Sequence, residues 1–205
     1  MNRRSFLSSA WLLTALLQAG CLFQFDSSPF DQSSAKHAPL DFSNPVLARR
    51  QILVFGELDE PAAERATQQL LFLEGQSHDP IDLYLMTPGG EFKSAMAIEQ
   101  VMRMIKSPVN TYALAECNSG GALLLAAGTG KRRAFRGAMV IVHGLKVHGK
   151  PPRGTFALIQ DAYTRFWRQH AHLPESWLPI PPDTLHVLTA EQALQYGLVD
   201  ELIEK

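Results

Sequence analysis

The 205-residue sequence is poor in the groups from which cross-linked, metal-bound or strongly charged proteins are built. It holds two cysteines, Cys21 and Cys117; Cys21 ends an apolar N-terminal segment, and no disulfide framework is implied. Seven histidines are scattered along the chain. Only His170 and His172 sit two apart, with no cysteine or acidic partner at ligand spacing, so neither a structural metal nor any cofactor is expected. Charged residues make up 19% of the chain and the formal net charge is -1, which leaves no overall field to draw nucleic acid or an acidic membrane. The small basic cluster Lys131, Arg132, Arg133 and Arg136 reads as a solvated turn between a helix and a strand. The N-terminal apolar run is interrupted by Gln18 and Gly20, short of the roughly 20 residues a spanning helix needs. The stretch GTGKRR (128 to 133) lacks the first glycine and the final Ser or Thr of a phosphate loop, and nucleotide binding has no support. What is present is 46% apolar residues, enough for the core of one domain.

The first 21 residues, MNRRSFLSSAWLLTALLQAGC, show the charged start, apolar middle and small-residue end of a secretory signal. Arg3 and Arg4, followed by Ser5, Phe6 and Leu7, resemble the twin-arginine export motif. Ala19-Gly20-Cys21 resembles the end of a lipoprotein signal, although Gln18 stands where an apolar residue is usual. Two outcomes stay open, lipidation of Cys21 or ordinary cleavage nearby. Either implies export to the periplasm, with a membrane anchor in the first case. Residues 22 to 48 mix Ser, Asp and Pro without a sustained period and read as a flexible tether. Residues 49 to 205 are then the catalytic domain.

From Gln51 the pattern becomes regular. ILVF (52 to 55), IDLYLM (81 to 86), VNTYALA (109 to 115) and AMVIVH (138 to 143) read as short buried strands. Between them, Pro61 suits the first turn of a helix running to about Glu74. Ser94 to Ile105 places Ala95, Ile98, Val101, Met102 and Ile105 on one stripe. Thr155 to His172 has helical spacing, with Phe156, Ile159, Tyr163, Phe166 and Trp167 apolar; core packing and a subunit interface are equally good readings of that stripe. Thr189 and Gln192 have capping-box spacing before AEQALQY, which Gly197 can close. Such alternation predicts an α/β domain with strands covered by helices.

The chemistry-bearing segment is AECNSGGALLLAAG (115 to 128), which runs from a strand through a tight turn into an apolar helix. Ser119 would lie near a helix N-terminus, where free N–H groups gather. It reads either as a helix cap or as a nucleophile awaiting a base and a pair of oxyanion donors. Cys117 occupies the first glycine position of G-x-S-x-G, which argues against an α/β-hydrolase fold. Cys117 itself, in an apolar setting, reads as packing. Thr87-Pro88-Gly89-Gly90 sits where a strand stops, and is either a plain turn or the place where Gly89 N–H joins Gly120 N–H in an oxyanion hole. His143 ends the strand AMVIV and is a candidate general base, or else a satisfied core or turn histidine.

These blocks resemble the proteolytic subunit of the caseinolytic (Clp) protease, a serine peptidase family of Clp-protease/crotonase-like α/β fold, a spiral of short strands covered by helices. The resemblance runs from about Arg50 to Ile203. It includes QQLLFLEGQSHDPIDLYLMTPGGEFKSAMAIEQVMRMIKSPV, SGGALLLAAGTGKR, VIVHG and LTAEQALQYGLVDELI in order. It implies Ser119 as nucleophile, His143 as base, and Gly89 and Gly120 as oxyanion donors. The family places its triad aspartate four positions before the Ser/Thr-Ala pair that opens the last helix, and here Leu185 stands there. Asp183, two positions away, is the candidate third member, since a triad is defined by geometry. The family's long handle helix, through which rings stack, is shortened and followed by LPESWLPIPPD with its four prolines, which implies a changed assembly.

The expected protein is therefore an exported serine endopeptidase acting through a Ser119 acyl-enzyme on peptides or unfolded chains. It would be a homo-oligomer, with no ATPase partner because ATP is scarce outside the cytoplasm. Two other classes stay open. One is a catalytically decayed interaction module that keeps the fold; the other is an acyl-CoA enzyme of the crotonase type, against which the serine-to-histidine block order and the lack of an adenine-binding basic patch argue.

Overall fold

In the computed structural model, residues 41–146 and 153–204 are described; the signal segment, Cys21 and residues 22–40 of the expected tether lie outside them. The chain enters through α1 (Pro45–Ala48), a single turn that Asn44 caps by accepting from Val46 N–H, with Pro45 at its start. Leu47 of this turn belongs to the core. Residues expected to end a tether thus pack as part of the domain, and the asparagine-proline pair is the local signal for it.

Strands and helices then alternate as β1 (Gln51–Phe55), α2 (Glu60–Gln76), β2 (Ile81–Thr87), α3 (Phe92–Met104), β3 (Val109–Asn118), α4 (Gly120–Ala126), β4 (Arg132–Phe135) and β5 (Met139–His143). The second half adds α5 (Thr155–His170), a three-residue 3₁₀ turn (Glu175–Trp177), β6 (Leu185–Thr189), α6 (Ala190–Gln195) and β7 (Glu201–Ile203). Asp59 caps α2 by accepting from Ala62 N–H. Thr189 and Gln192 form the capping box expected of α6.

One seven-stranded sheet runs β1-β2-β3-β4-β7, with β5 joined to β3 and β6 joined to β5. Every pairing is parallel except β5 with β6. Parallel strands need crossovers, and the helices provide them on the face carrying Ile52, Val54, Leu83, Leu85, Ala113 and Cys117, all in one core cluster. The strands were expected to be buried; the structure buries them on one face. On the other, a ladder Leu53, Tyr84, Tyr112, Arg133, Glu201 crosses the sheet. Leu53, Phe55, Met86, Met139, Leu185 and Val187 are exposed there. Alternation along β1 and β2 is the cause, because successive side chains point to opposite faces.

Only part of the basic cluster is a solvated turn: Lys131 and Arg136 are exposed on either side of β4. Arg132 and Arg133 lie in β4, and Arg132 donates to the carbonyls of Ala126, His170 and Gly197 while pairing with Asp200 at 2.6 Å. One guanidinium thereby satisfies carbonyls at the ends of α4 and α5. Arg133 pairs with Glu201 at 2.9 Å.

Glu74 ties α2 to the turn before β3. Its carboxylate accepts from Ser107 Oγ at 2.7 Å and from the N–H groups of Ser107 and Lys106. The Ser107 hydroxyl above all holds the Glu74 carboxyl down to about 2. A folded-state value below that of the unfolded chain means stability that is present above the ordinary carboxylate range and lost as pH falls through it. Thermal unfolding followed by circular dichroism should show Tm falling between about pH 5 and about pH 2. Glu74→Gln should lower Tm at neutral pH and flatten that acid slope; an unchanged slope would refute the assignment.

Candidate active site

The loops at the carboxyl ends of the parallel strands converge on one cavity of about 550 Å³. Glu57 follows β1, Pro88 to Gly90 follow β2, Ser119 follows β3 and His143 ends β5, and all of them line it. This is where an open parallel sheet offers a crevice and free main-chain groups.

Ser119 stands between β3 and α4 with φ 53° and ψ -116°. Left-handed backbone at a residue with a Cβ costs about 1–3 kcal/mol and persists only where the surroundings over-determine it. Although Ser119 occupies the cap position of α4, its side chain makes no capping hydrogen bond. The helix-cap reading therefore fails. The turn is latched to β5 by Ser119 N–H donating to Ile141 O at 2.8 Å, in the register that pairs Asn118 with Ile141. His143 lies two residues further along the same strand. Both side chains line the cavity, and no hydrogen bond joins them; catalytic pairs often tighten only around a substrate.

The main-chain donors are arranged differently from expectation. Gly89 N–H, expected as an oxyanion donor, is already donated to Thr87 Oγ1 at 3.0 Å, inside the buried end of β2, and is not a free donor. Its neighbour Gly90 N–H has no partner among the described residues, because the Leu58–Gly90 bridge uses Gly89 O and Glu91 N–H instead. Gly120 N–H, at the first position of α4, has no intrahelical acceptor. A Cβ built on Gly120 would stand 3.9 Å from Gly90 N. Gly90 and Gly120, neighbours in the cavity lining, thus each keep an N–H without a main-chain acceptor.

Gly89 has a different task. Its φ is +95°, and a Cβ there would lie 2.6 Å from Ser119 Cβ and 2.7 Å from Asn118 O. The turn after β2 can touch the serine turn only because that Cβ is missing. Gly89→Ala should therefore destabilise the protein by about 1–3 kcal/mol in urea unfolding; a loss below a few tenths would show that the contact does not constrain the turn.

The third expected member makes no bond to the histidine. Asp183 is exposed, and neither a hydrogen bond nor an ion pair joins it to His143. Leu185 lies directly opposite His143 in the β5–β6 register, in the position where a carboxylate would be cross-strand neighbour to the ring. His143 Nδ1 instead contacts Gly144 O at 2.7 Å. A carbonyl can only accept, so Nδ1 carries the proton and Nε2 is left as the basic nitrogen.

The cavity wall is apolar at Phe92, Leu123, Leu145 and Tyr163, with Glu57, Glu91 and Lys146 contributing charge. Glu91 is partly neutralised by Lys93 at 3.4 Å. Cys117 is fully buried, and burial pushes its thiol far above the ordinary range, which fits packing and rules it out as a thiolate nucleophile. Gly90 and Tyr163 were not singled out as site residues. Gly90 was hidden by its twin in a Gly-Gly pair, and Tyr163 by the apolar stripe of α5, where only its phenolic tip signalled another role. Among the described residues no group of three or more metal-ligating side chains occurs.

A mostly parallel sheet flanked by helices, with its cavity at the carboxyl edge, defines an α/β protein of the Clp-protease-like fold. The family model for Clp protease matches residues 34–151, more than half of the chain, and the chain belongs to the Clp protease family. Membership assigns it a peptidase-type function. The matched region takes in Ser119, His143 and both glycine turns, and ends before β6.

Proposed function

We propose that this protein is a serine endopeptidase that cleaves peptide bonds through a Ser119 acyl-enzyme. The observation that carries the reading is the Ser119 backbone: a strained, uncapped serine lining the same cavity as a histidine held in the tautomer a base requires. In the mechanism, Ser119 Oγ attacks the substrate carbonyl as His143 Nε2 takes its proton. Gly90 and Gly120 N–H receive the oxyanion, each such donor being worth roughly 3 kcal/mol of barrier. The protonated imidazole then gives its proton to the leaving amine, and water releases the acyl group by the same steps.

Clp protease family members usually form oligomeric rings and act on peptide or protein substrates. For this chain a homo-oligomer is supported by the exposed apolar side chains on the open sheet face. Export is supported by the signal-like residues 1–21, and the scarcity of ATP outside the cytoplasm by itself argues for a protease working without an unfolding ATPase on peptides or loose chains. Fractionation of cells should put the protein in the periplasmic or membrane fraction; Cys21→Ala should release any membrane-bound part, and cytoplasmic recovery would overturn the export proposal.

A second reading, an interaction module with a decayed site, is favoured by Leu185 standing opposite His143. Reaction with a serine-directed fluorophosphonate separates the two. Covalent labelling and peptide hydrolysis, both abolished in Ser119→Ala, are the expected results. A folded protein that neither labels nor hydrolyses would leave only the module.

A further inference from the structure

We infer that the His143 ring is oriented by the main-chain carbonyl of Gly144, and that Tyr163 is the positioning residue that holds this carbonyl in place. The inference rests on the peptidase reading for its kinetic consequences, but its geometry stands apart from it. The peptide joining His143 to Gly144 is gripped from both ends. Tyr163 Oη, reaching over from α5, donates to His143 O at 2.5 Å. Gly144 N–H donates to Thr184 O at 3.1 Å. The next carbonyl along, Gly144 O, is the one that receives Nδ1 at 2.7 Å. Gly144 is also wedged: a Cβ there would lie 2.0 Å from Pro181 O and 2.4 Å from Pro181 C, so the segment before β6 presses directly on the backbone that carries the acceptor.

Tyr163 is built for this duty. It is buried to 3% exposure, and its ring meets Phe92 and Trp167 edge-on at 5.8 Å each. Burial pushes its phenol up to about 12, so the hydroxyl stays protonated and remains a donor throughout the working range. Removing the hydroxyl would leave His143 O, at the end of β5, short of its side-chain donor, and a part-buried carbonyl that loses its partner relaxes the peptide that contains it. The peptide plane, the Gly144 carbonyl and the ring would shift together. A main-chain carbonyl fixes the tautomer as a carboxylate does, but supplies no charge.

The test uses the full protein and Tyr163→Phe, which keeps the ring and deletes only the hydroxyl. Nitrogen NMR of the histidine rings, with the His143 signals assigned by their loss in His143→Ala, reads the tautomer directly. The wild type should show the Nδ1–H form and Tyr163→Phe a mixture of the two forms. Peptide turnover should fall about tenfold in kcat with KM unchanged. An unchanged tautomer together with kcat within twofold of wild type overturns the inference. If Tyr163→Phe does not fold, Asp183→Asn decides: at an exposed site it should leave both tautomer and kcat unaltered, and a change in either would return the orienting role to that carboxylate. Should the wild type prove inactive, the peptidase reading fails, while the NMR comparison still accepts or rejects the positioning role.

Discussion

The contact between Gly89 and Ser119 is the constraint on which the site depends. Two turns, one leaving β2 and one leaving β3, approach so closely that a single Cβ would fall within 2.6 Å of the serine side chain. That approach helps hold Ser119 in a backbone conformation it would not keep alone. It also sets the Gly90 N–H, which has no partner among the described residues, near the start of α4 at Gly120. The hydrogen bond from Gly89 to Thr87 belongs to the same device, since it anchors the glycine turn to the buried end of its strand. The proposed nucleophile and oxyanion donors are thus set by backbone packing, with little left to side-chain freedom.

His143, the proposed base, is held by other means. β5 is latched to the serine turn through Ile141 O and to β6 by five paired residues. Its last residue is then fastened by α5 and by the loop before β6. Loss of the orienting carboxylate in a triad costs on the order of 10⁴ in kcat, largely because the imidazole adopts the wrong tautomer. A carbonyl acceptor on Nδ1 avoids that part of the loss. It does not stabilise the imidazolium that forms during attack, so a slower enzyme than a full triad is the physical expectation for this arrangement.

The open face of the sheet is a second consequence of the same architecture. Parallel sheets are ordinarily covered on both sides, and here the described helices cover one. The other side mixes exposed apolar residues with an ordered polar ladder in which Tyr84 and Tyr112 stack at 4.6 Å and Arg133 donates to the Tyr112 hydroxyl. Leu185 and Val187 continue this face onto β6, beside the strand that carries His143. The surface and the site therefore share a structural element.

Much of the fold was legible because it depends on local apolar runs, helical spacing and caps. The apolar runs of β1, β2, β3 and β5, the stripe of α3 and the capping box of α6 are local patterns, and the elements appear where those patterns lie. The strands β4, β6 and β7 were not legible: RRAF, LHVLT and ELI are short, and they become strands only by pairing with partners 20 to 70 positions away. Ser119, His143 and Gly120 could be named from residue type and local context, while the missing aspartate at Leu185 was implied only by the resemblance to the Clp protease family. Tertiary structure alone decided that Gly90 and not Gly89 has the free N–H, and that His143 Nδ1 meets Gly144 O with no hydrogen bond to Asp183. The reason is that hydrogen-bond partners are chosen by proximity across the fold. A sequence records which groups can donate or accept, and only the packed chain settles which of them meet.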